Sequence, residues 1–455
     1  MIEHELPARR ASAATLAVLL LAVTLPARAD LSWSVDAKVG RDDNVGLAAG
    51  NAQSSTTEAV GGSLLFDQPQ GRLKADVAGS GQFNHYADGN FKDQVVGSAD
   101  GSLRYEIVPE MFSWSLADTF GQGQRDLLAP ANPQNRVNIN VFSTGPQLLL
   151  PIGERNVAKL DARYGHDTYG DARPNDNRYT GAFALVRRLS PGSTGSLNAS
   201  FARVEYAVPG IAGYDLEQAY ARFETTDTRQ GFSVDAGAAR TVQSGSTSND
   251  PILRVDWRQR LTGYLSLSLG AGREVTDTSG QFQNEVRFNG VPRSGPPAVG
   301  PPQTTQTLPL SNQPFRSDYV RGTLSFERAR TRIALGASYV KERYLTDAIA
   351  NGTRKGFNAA LSRQVTARVS AQLAANYQDR SFGTLNTSDR TTFVNAGVTW
   401  AFARNLSATL GYYHERRNSD SVGLGYSSNR YLLGVRYAPG RRAGAAPALP
   451  AMPSR

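Results

Sequence analysis

Cysteine is absent from the 455-residue sequence, and the sequence has very few long apolar runs. Without cysteine the chain forms no disulfide, carries no lipid on an N-terminal thiol and offers no thiol chemistry. No apolar run reaches the roughly 18 residues that a membrane-spanning helix needs. A helical membrane protein is therefore excluded.

Histidine is also scarce, with four in the sequence, one of which, His4, lies in the first residues. The other three, His85, His166 and His414, lack the close spacing with acidic residues that metal ligation or acid–base catalysis needs. We interpret them as isolated residues toward the outer ends of strands. The sequence predicts no catalytic residue, no metal site and no cofactor, and we expect that the chain is not an enzyme.

One continuous apolar stretch, Ala13 to Leu25, lies near the start of the chain. Arg9 and Arg10 precede it, and Ala27-Arg28-Ala29 follows. This order of basic, apolar and small-residue segments is typical of a secretory signal peptide, because the stretch is too short to span a bilayer. We expect residues 1–29 to be removed on export.

Beyond residue 30 the sequence repeats segments of about ten residues in which apolar and polar residues alternate. In one such segment, Leu253, Val255 and Trp257 alternate with charged residues. Successive side chains on a strand point to opposite faces, so each segment predicts a strand with one apolar and one polar face. Tight turns and longer polar loops join the segments alternately. The predicted tight turns are 67–71, 109–110, 153–155, 191–193, 226–230, 262–263, 329–331, 366–367 and 404–405.

These features predict an all-β fold, a single transmembrane antiparallel β-barrel of about 20 strands, within a range of roughly 18 to 22. Residues 30–437 would form the barrel, and residues 438–455, rich in Ala, Pro and Arg, a disordered periplasmic tail. Short turns of such barrels face the periplasm, so both chain ends are expected there. A soluble propeller or solenoid is less favoured, because no blade motif repeats.

Charged residues on the polar faces are the candidate functional residues, because Arg or Lys facing lipid at mid-membrane costs about 2–4 kcal/mol. Two roles stay open for them. They form either a charged wall that guides an anionic solute or cross-strand ion pairs that fill the lumen. The predicted lumen-lining residues are Lys159, Asp161, Arg163, Arg254, Asp256, Arg258, Arg260, Arg321 and Glu327.

Two loops hold less specific features. The loop from Thr276 to Phe315 contains a stretch, residues 291–302, so rich in Pro and Gly that it disfavours strand and helix. It is either a mobile surface loop or a lid over the pore. The run Asp42-Asp43-Asn44 resembles a fragment of a calcium site, but the sequence does not supply the six or more oxygen ligands that calcium needs.

Several motifs in the first third of the chain resemble a known family. They are RDDNV at 41–45, WSLADTFGQ at 114–122, PANPQNRVN at 130–138 and FSTGP at 142–146. Together they resemble β-barrel porins found with exopolysaccharide and exosortase systems of Gram-negative bacteria. The resemblance implies an outer-membrane location and a part in moving or anchoring surface polysaccharide, and it supplies no catalytic residues. Asp118 and Asn138 within these motifs are interpreted either as structural residues or as sugar contacts.

The function predicted from the sequence is that of an outer-membrane channel, a conduit or accessory for export of surface polysaccharide. The alternative is a general diffusion porin or a structural protein without a dedicated substrate. Expected partners are outer-membrane lipid and lipopolysaccharide, an anionic polysaccharide and the barrel-assembly machinery. The net charge of +9 is spread among interspersed acids, so nucleic-acid binding is not indicated.

Overall fold

The computed structural model describes residues 29–126, 128–171, 173–285, 305–306, 313–346 and 351–439. Most of these residues lie in β-strands. The expected signal peptide, apart from residue 29, and the expected tail, apart from residues 438 and 439, lie outside the described residues. Both assignments therefore stay predictions.

Twenty long strands form the wall of the molecule. In chain order they are β1 (Asp30–Asp42), β2 (Ser55–Gln68), β3 (Leu73–Tyr86), β4 (Gln94–Val108), β5 (Phe112–Gln124), β6 (Arg136–Ile152), β7 (Asn156–Tyr169), β8 (Asp176–Ser190), β9 (Ser193–Tyr206), β10 (Tyr214–Thr226), β11 (Gln230–Gln243), β12 (Ser246–Arg260), β13 (Leu265–Thr276), β15 (Phe315–Arg328), β16 (Thr331–Tyr344), β17 (Gly352–Gln364), β18 (Val369–Phe382), β19 (Thr387–Ala401), β20 (Leu406–Ser419) and β21 (Tyr426–Tyr437). A helix, α1 (Thr278–Glu285), and a two-residue strand, β14 (Thr305–Gln306), lie between β13 and β15.

Antiparallel pairing runs from each wall strand to the next and closes between the first and the last. The closing register extends from Val35 opposite Tyr437 to Asp42 opposite Arg430. Strand β14 instead pairs in parallel with Gln122 and Gly123 of β5 and is not a wall strand. The predicted all-β fold class and the predicted number of strands are confirmed: this is a closed antiparallel barrel of 20 strands.

All nine predicted tight turns coincide with junctions between strands at one end of the barrel, here called the turn end. Two of these turns contain a glycine with positive φ, Gly71 at +94° and Gly153 at +66°. A side chain would be strained in that conformation, so glycine favours the short connection. The opposite end, here called the loop end, has the longer connections, together with a two-residue turn, residues 244–245, between β11 and β12.

The two faces of the wall differ as the alternation predicts. Large apolar side chains such as Leu197 (62% exposed), Leu410 (61%) and Trp400 (52%) point to one face. The other face is the interior, because α1 packs against it: Phe282 of the helix is fully buried against Val137 and Ile139 of β6. Apolar residues thus cover the outside of the barrel, as in barrels that lie in lipid.

Connections at the loop end fold over the interior. The guanidinium of Arg417 on β20 donates to the Leu128 carbonyl oxygen at 2.6 Å, and the amide of Asn132 donates to the Gly46 carbonyl at 3.1 Å. The connection from Thr276 to Phe315 begins with helix α1 inside the barrel, a helix that the sequence analysis did not predict. Its Pro- and Gly-rich stretch, 291–302, lies outside the described residues.

The assignment of the outer and inner faces can be tested with two neighbouring residues of β9. Leu197→Arg should lower the free energy of unfolding by up to about 2–4 kcal/mol, because it places a charge in lipid. Asn198→Arg, one residue further along on the inner face, should change it far less. Folding into phospholipid vesicles, followed by urea titration, measures both. Equal effects would mean that the face assignment is wrong.

Candidate functional site

The most charged face of the interior runs along β12. Four charged residues of this strand, at every second position, face inward: Arg254, Asp256, Arg258 and Arg260. Leu253, the residue before them, faces outward and is 51% exposed. The four charged side chains share the face of Ile252, which is buried with Ala239 and Val275 inside the barrel. The structure divides these four residues into two pairs with different surroundings.

Arg254 is held by partners on three neighbouring strands. It lies 2.9 Å from a carboxylate oxygen of Asp235 on β11 and 3.2 Å from Glu274 on β13, and its guanidinium stacks 4.8 Å from the ring centre of Tyr220 on β10. Asp235 also accepts two hydrogen bonds from Arg222, at 2.6 and 2.7 Å. This network ties β10 to β13, as the ion-pair role requires.

The charged residues of β15 continue this network only in part. Arg321 lies 3.5 Å from Asp256, and its guanidinium is 5.0 Å from the ring centre of Tyr319. Glu327, at the turn end of the same strand, is 67% exposed and pairs with Arg332 at 2.8 Å. Arg321 and Glu327, predicted as one row, thus have separate partners.

A second predicted row lies on β7. Arg163 donates to Asp161 at 2.7 Å, and the amide of Gln147 on β6 donates to the same carboxylate at 3.0 Å. Lys159 lies on the same inward face, whereas the next residue, Leu160, faces outward. Within the described part of the chain, Lys159 has no acidic group within salt-bridge distance.

Arg258 and Arg260 line a cavity of about 520 Å³ at the turn end of β10 to β13. Among the described residues, neither guanidinium has an ion-pair partner, in contrast to Arg254. Most of the other lining residues are polar, and the two large apolar ones are Phe232 and Leu267. The lining residues are Glu224, Thr226, Asp227, Thr228, Arg229, Gln230, Gly231, Phe232, Ser233, Asp256, Arg258, Gln259, Arg260, Ser266, Leu267 and Ser268.

Three carboxylates, those of Glu224, Asp227 and Asp256, line this cavity, and Asp227 lies in the β10–β11 turn at its edge. The backbone N–H groups of Arg229 and Gln230 donate to it at 2.7 and 2.8 Å and lower its pKa. The Asp227 carboxylate therefore stabilises the turn through these hydrogen bonds. Among the described residues, the guanidinium groups of Arg258 and Arg260 have no salt-bridge partner, and such groups can bind a carboxylate, sulfate or phosphate through paired hydrogen bonds.

A buried cluster at the loop end anchors α1 to the opposite wall. Arg178 on β8 donates to Asp277 at 2.5 Å, the Tyr214 hydroxyl donates to the same carboxylate, and Tyr169 and Ser279 hydroxyls lie 2.9 Å apart. Burial would raise the pKa of Asp277, but the Arg178 charge, the Tyr214 hydroxyl and the Gly280 N–H outweigh it and lower the pKa. Asp277 is thus ionised at neutral pH, and helix α1 is pinned inside the lumen.

Sequence reasoning missed several residues of these networks: Arg178, Arg222, Asp235, Glu274 and Asp277. The predicted rows came from β7, β12 and β15, whereas these residues lie on β8, β10, β11, β13 and in the connection after β13. The alternation itself marks Arg222, which lies between the outward-facing Ala221 and Phe223. Pairing across strands, which depends on register, was needed to join it to Asp235.

The predicted isolated histidines each face one polar neighbour. His85 contacts Asp93 at 2.9 Å, and His166 and His414 contact Asn177 and Asn429 at the same distance. In the described ranges, no group of three or more His, Cys, Asp or Glu side chains is arranged to hold a metal ion. No helix among the described residues is long and apolar enough to cross a membrane.

The motif residues likewise have protein partners. Asp42 accepts hydrogen bonds from Ser428 and from Arg430, the latter at 2.6 Å, so its oxygens serve the β1–β21 junction. Asp118 accepts a hydrogen bond from the Asn140 amide at 2.9 Å. The Asn138 side-chain oxygen accepts one from Gln122 at 2.8 Å.

Comparison with known proteins gives one family match. The family model described as "Putative beta-barrel porin 2" matches residues 328–438, from the end of β15 through β21. The predicted resemblance to β-barrel porins is confirmed over this stretch. The motifs that suggested it, between residues 41 and 146, lie outside the match. No curated protein matches the sequence.

Several solved structures are similar in fold. The siderophore receptor PirA from Pseudomonas aeruginosa has a TM-score of 0.48 and 12% identity, over 91% of this chain and 81% of that one. The FrpB iron transporter from Neisseria meningitidis has a TM-score of 0.44 and 8% identity, over 90% and 82%. OpdK from Pseudomonas aeruginosa, solved with vanillate, has a TM-score of 0.38 and 10% identity, over 90% and 99%. Identities this low carry no information about a substrate.

The difference between the paired Arg254 and the unpaired Arg258 on β12 leads to a prediction about stability. Arg254→Ala should lower the free energy of unfolding by about 1–3 kcal/mol, because Asp235 and Glu274 lose a buried partner. Arg258→Ala, four residues away on the same face, should change it by less than about 0.5 kcal/mol. Urea titration of the refolded barrel measures both. A loss at Arg258 as large as that at Arg254 would contradict the division.

The anchor of α1 leads to a prediction about conductance. Arg178→Gln leaves the Asp277 carboxylate buried without its main partner, so α1 should leave the wall more often and single-channel conductance in planar bilayers should rise. Arg203→Gln is the matched control, because Arg203 pairs with Asp215 at 2.8 Å on the outer face. Unchanged conductance, or an equal rise in the control, would contradict a role of α1 in closing the pore.

Proposed function

We propose that the chain is a channel in the outer membrane of a Gram-negative bacterium, and that it passes an anionic surface polysaccharide outward. Three observations support the membrane channel: the closed barrel, its apolar outer face and the match to a family of porins. In this proposal the protein transports its substrate and catalyses no reaction.

The observation that carries the anionic substrate is the pair of free arginines in the turn-end cavity. A guanidinium binds a carboxylate, sulfate or phosphate through two parallel hydrogen bonds, and acidic sugars carry such groups. The serine, threonine and glutamine side chains of the same cavity offer hydrogen bonds to sugar hydroxyls. Arg258 and Arg260 would therefore be the first groups to contact an entering polymer.

Further positive charge surrounds this entrance. Arg229, Arg330, Arg368 and Arg404 all lie in turns at the same end of the barrel. Short turns face the periplasm in outer-membrane barrels, and both ends of the wall, at Asp30 and Tyr437, lie at the turn end. A polymer arriving from the periplasm would thus meet a positive potential that concentrates anions at the mouth.

The loop end imposes a second requirement on export. Helix α1 and the connection between β5 and β6 fold over the interior there, and the Arg178–Asp277 pair pins the helix. Passage of a polymer then requires that this cover moves. In the proposal the cover limits leakage of small solutes while no polymer is present.

A general diffusion porin is the second candidate function, and the ion pairs of the lumen favour it. Arg222, Arg254, Arg321 and Arg163 are each neutralised by a neighbouring carboxylate, so these residues stiffen the wall and attract little. Such a wall is compatible with non-selective passage. The two candidates differ in what Arg258 and Arg260 contribute.

The test is a deletion of the gene followed by complementation. Loss of the protein should abolish surface polysaccharide, wild type should restore it, and the double variant Arg258→Ser/Arg260→Ser should restore at most about a tenth of it, because the entrance loses its anion-binding groups. Surface polysaccharide is quantified by uronic-acid assay of washed cells. Reversal potentials in planar bilayers under a KCl gradient should shift away from anion selectivity in the same variant.

Arg363→Gln is the control, because Arg363 lies at the same end of the barrel but on the outer face. It should restore wild-type polysaccharide and selectivity. Normal polysaccharide in the deletion strain, together with reduced uptake of small solutes, would overturn the export proposal in favour of the diffusion porin.

A further inference from the structure

Five basic side chains form a patch on the outer face of the barrel at the loop end of β16 to β20. This basic patch consists of Lys341, Arg343, Lys355, Arg390 and Arg416. Four of the five are exposed and the fifth is half-buried. The patch lies outside the lumen and has no part in the proposed transport path.

The strand register places all five residues outward. Lys341 and Arg343 alternate with inward-facing Glu342, which contacts Arg354 inside the barrel at 2.5 Å. Lys355 lies directly opposite the outward-facing Tyr339. Asp379 on β18 is the cross-strand partner both of Lys355 on β17 and of Arg390 on β19. The five basic side chains therefore lie on one continuous part of the outer face.

An aromatic girdle lies just below the patch, on the side of the turn end. It consists of Tyr339, Phe357, Tyr377 and Tyr412, all outward-facing. The basic residues follow the girdle residues by two to four positions toward the loop end. At 3.3 Å per residue this is about 7–13 Å along the strand. Aromatic girdles mark the boundary between acyl chains and headgroups, so the patch lies at headgroup level.

The patch is poorly neutralised. Among the described residues, Lys341, Arg343 and Lys355 have no acidic group within salt-bridge distance, and Arg390 lies 3.5 Å from Asp379. Arg416 donates to the Asn418 side chain at 3.3 Å. Five cations therefore share one directly contacting carboxylate.

The adjoining part of the outer face, from β9 to β15, is different, and it borders the patch where Asp318 on β15 lies directly opposite Lys341. There Arg203 pairs with Asp215 at 2.8 Å, Arg240 with Glu217 at 3.5 Å, and Arg273 with Asp318 at 2.5 Å. Each of these three outward cations has its own acid. The positive excess is therefore a property of one side of the barrel.

We propose that the basic patch binds the phosphate groups of lipid A in the outer leaflet, with the acyl chains against the apolar face below the girdle. Charge complementarity and the continuous order of apolar face, girdle and cations argue for this occupant. A neutral lipid would leave the positive excess of the patch uncompensated. The site would hold one lipopolysaccharide molecule on a fixed side of the barrel.

The test uses the full-length refolded protein in detergent, titrated with lipid A that carries both phosphates. Lipid A should bind at least about tenfold more tightly than the same lipid without phosphates. The variant Lys355→Gln/Arg390→Gln/Arg416→Gln should weaken lipid A binding about tenfold or more, because each removed cation weakens the attraction to the phosphates. Heat-modifiable migration on gels verifies that each variant is folded.

The control is Arg203→Gln/Arg240→Gln, which removes charge from the neutralised part of the outer face and leaves Asp318, the cross-strand neighbour of Lys341, with its partner Arg273. It should leave the affinity within about twofold. The proposal is overturned if phosphate removal has no effect, if the patch variant and the control lose affinity equally, or if phosphatidylglycerol binds as tightly as lipid A. Bilayer conductance of the patch variant should equal that of wild type, so failure here is distinct from failure of the channel proposal.

Discussion

Closure of the strand ladder is the constraint on which the rest of the structure depends. Backbone N–H and C=O groups find no partners in hydrocarbon, so every wall strand needs a neighbour on both edges. Pairing of β1 with β21 supplies the last neighbours and removes the two free edges of the sheet. Asp42 reinforces this junction, because it binds Arg430 and Ser428 on the closing strand.

Closure also separates two environments, and side-chain alternation assigns each residue to one of them. The outer face can hold apolar groups without penalty, whereas the inner face can hold charge if it is paired. The network from Arg222 through Asp235 and Arg254 to Glu274 satisfies this condition across four strands. Arg258 and Arg260 lie near the turn end, where water reaches them and pairing is not required. Ion pairs thus stabilise the middle of the wall, whereas Arg258 and Arg260 at the entrance stay able to bind anions.

The interior is asymmetric along the barrel axis. Short turns leave the turn end open to the cavity, whereas two connections at the loop end, from β5 to β6 and from β13 to β15, fold inward. Helix α1 crosses to β6, β7 and β8, where burial of Phe282 and the Arg178–Asp277 pair hold it. A cover attached by one buried ion pair, a few side-chain hydrogen bonds and a small apolar cluster can be displaced more readily than a wall strand, because far fewer hydrogen bonds hold it.

The sequence by itself determined the fold class, a strand count of about 20 and the nine tight turns, because alternation and turn composition are local properties of the chain. Tertiary structure alone decided which charges are paired. Arg254 and Arg258 look equivalent in the sequence, but register brings Asp235 and Glu274 to the first and no acid among the described residues to the second. Helix α1 and its anchor were likewise beyond sequence reasoning, because Arg178 and Asp277 are 99 residues apart and meet only when the barrel closes around them.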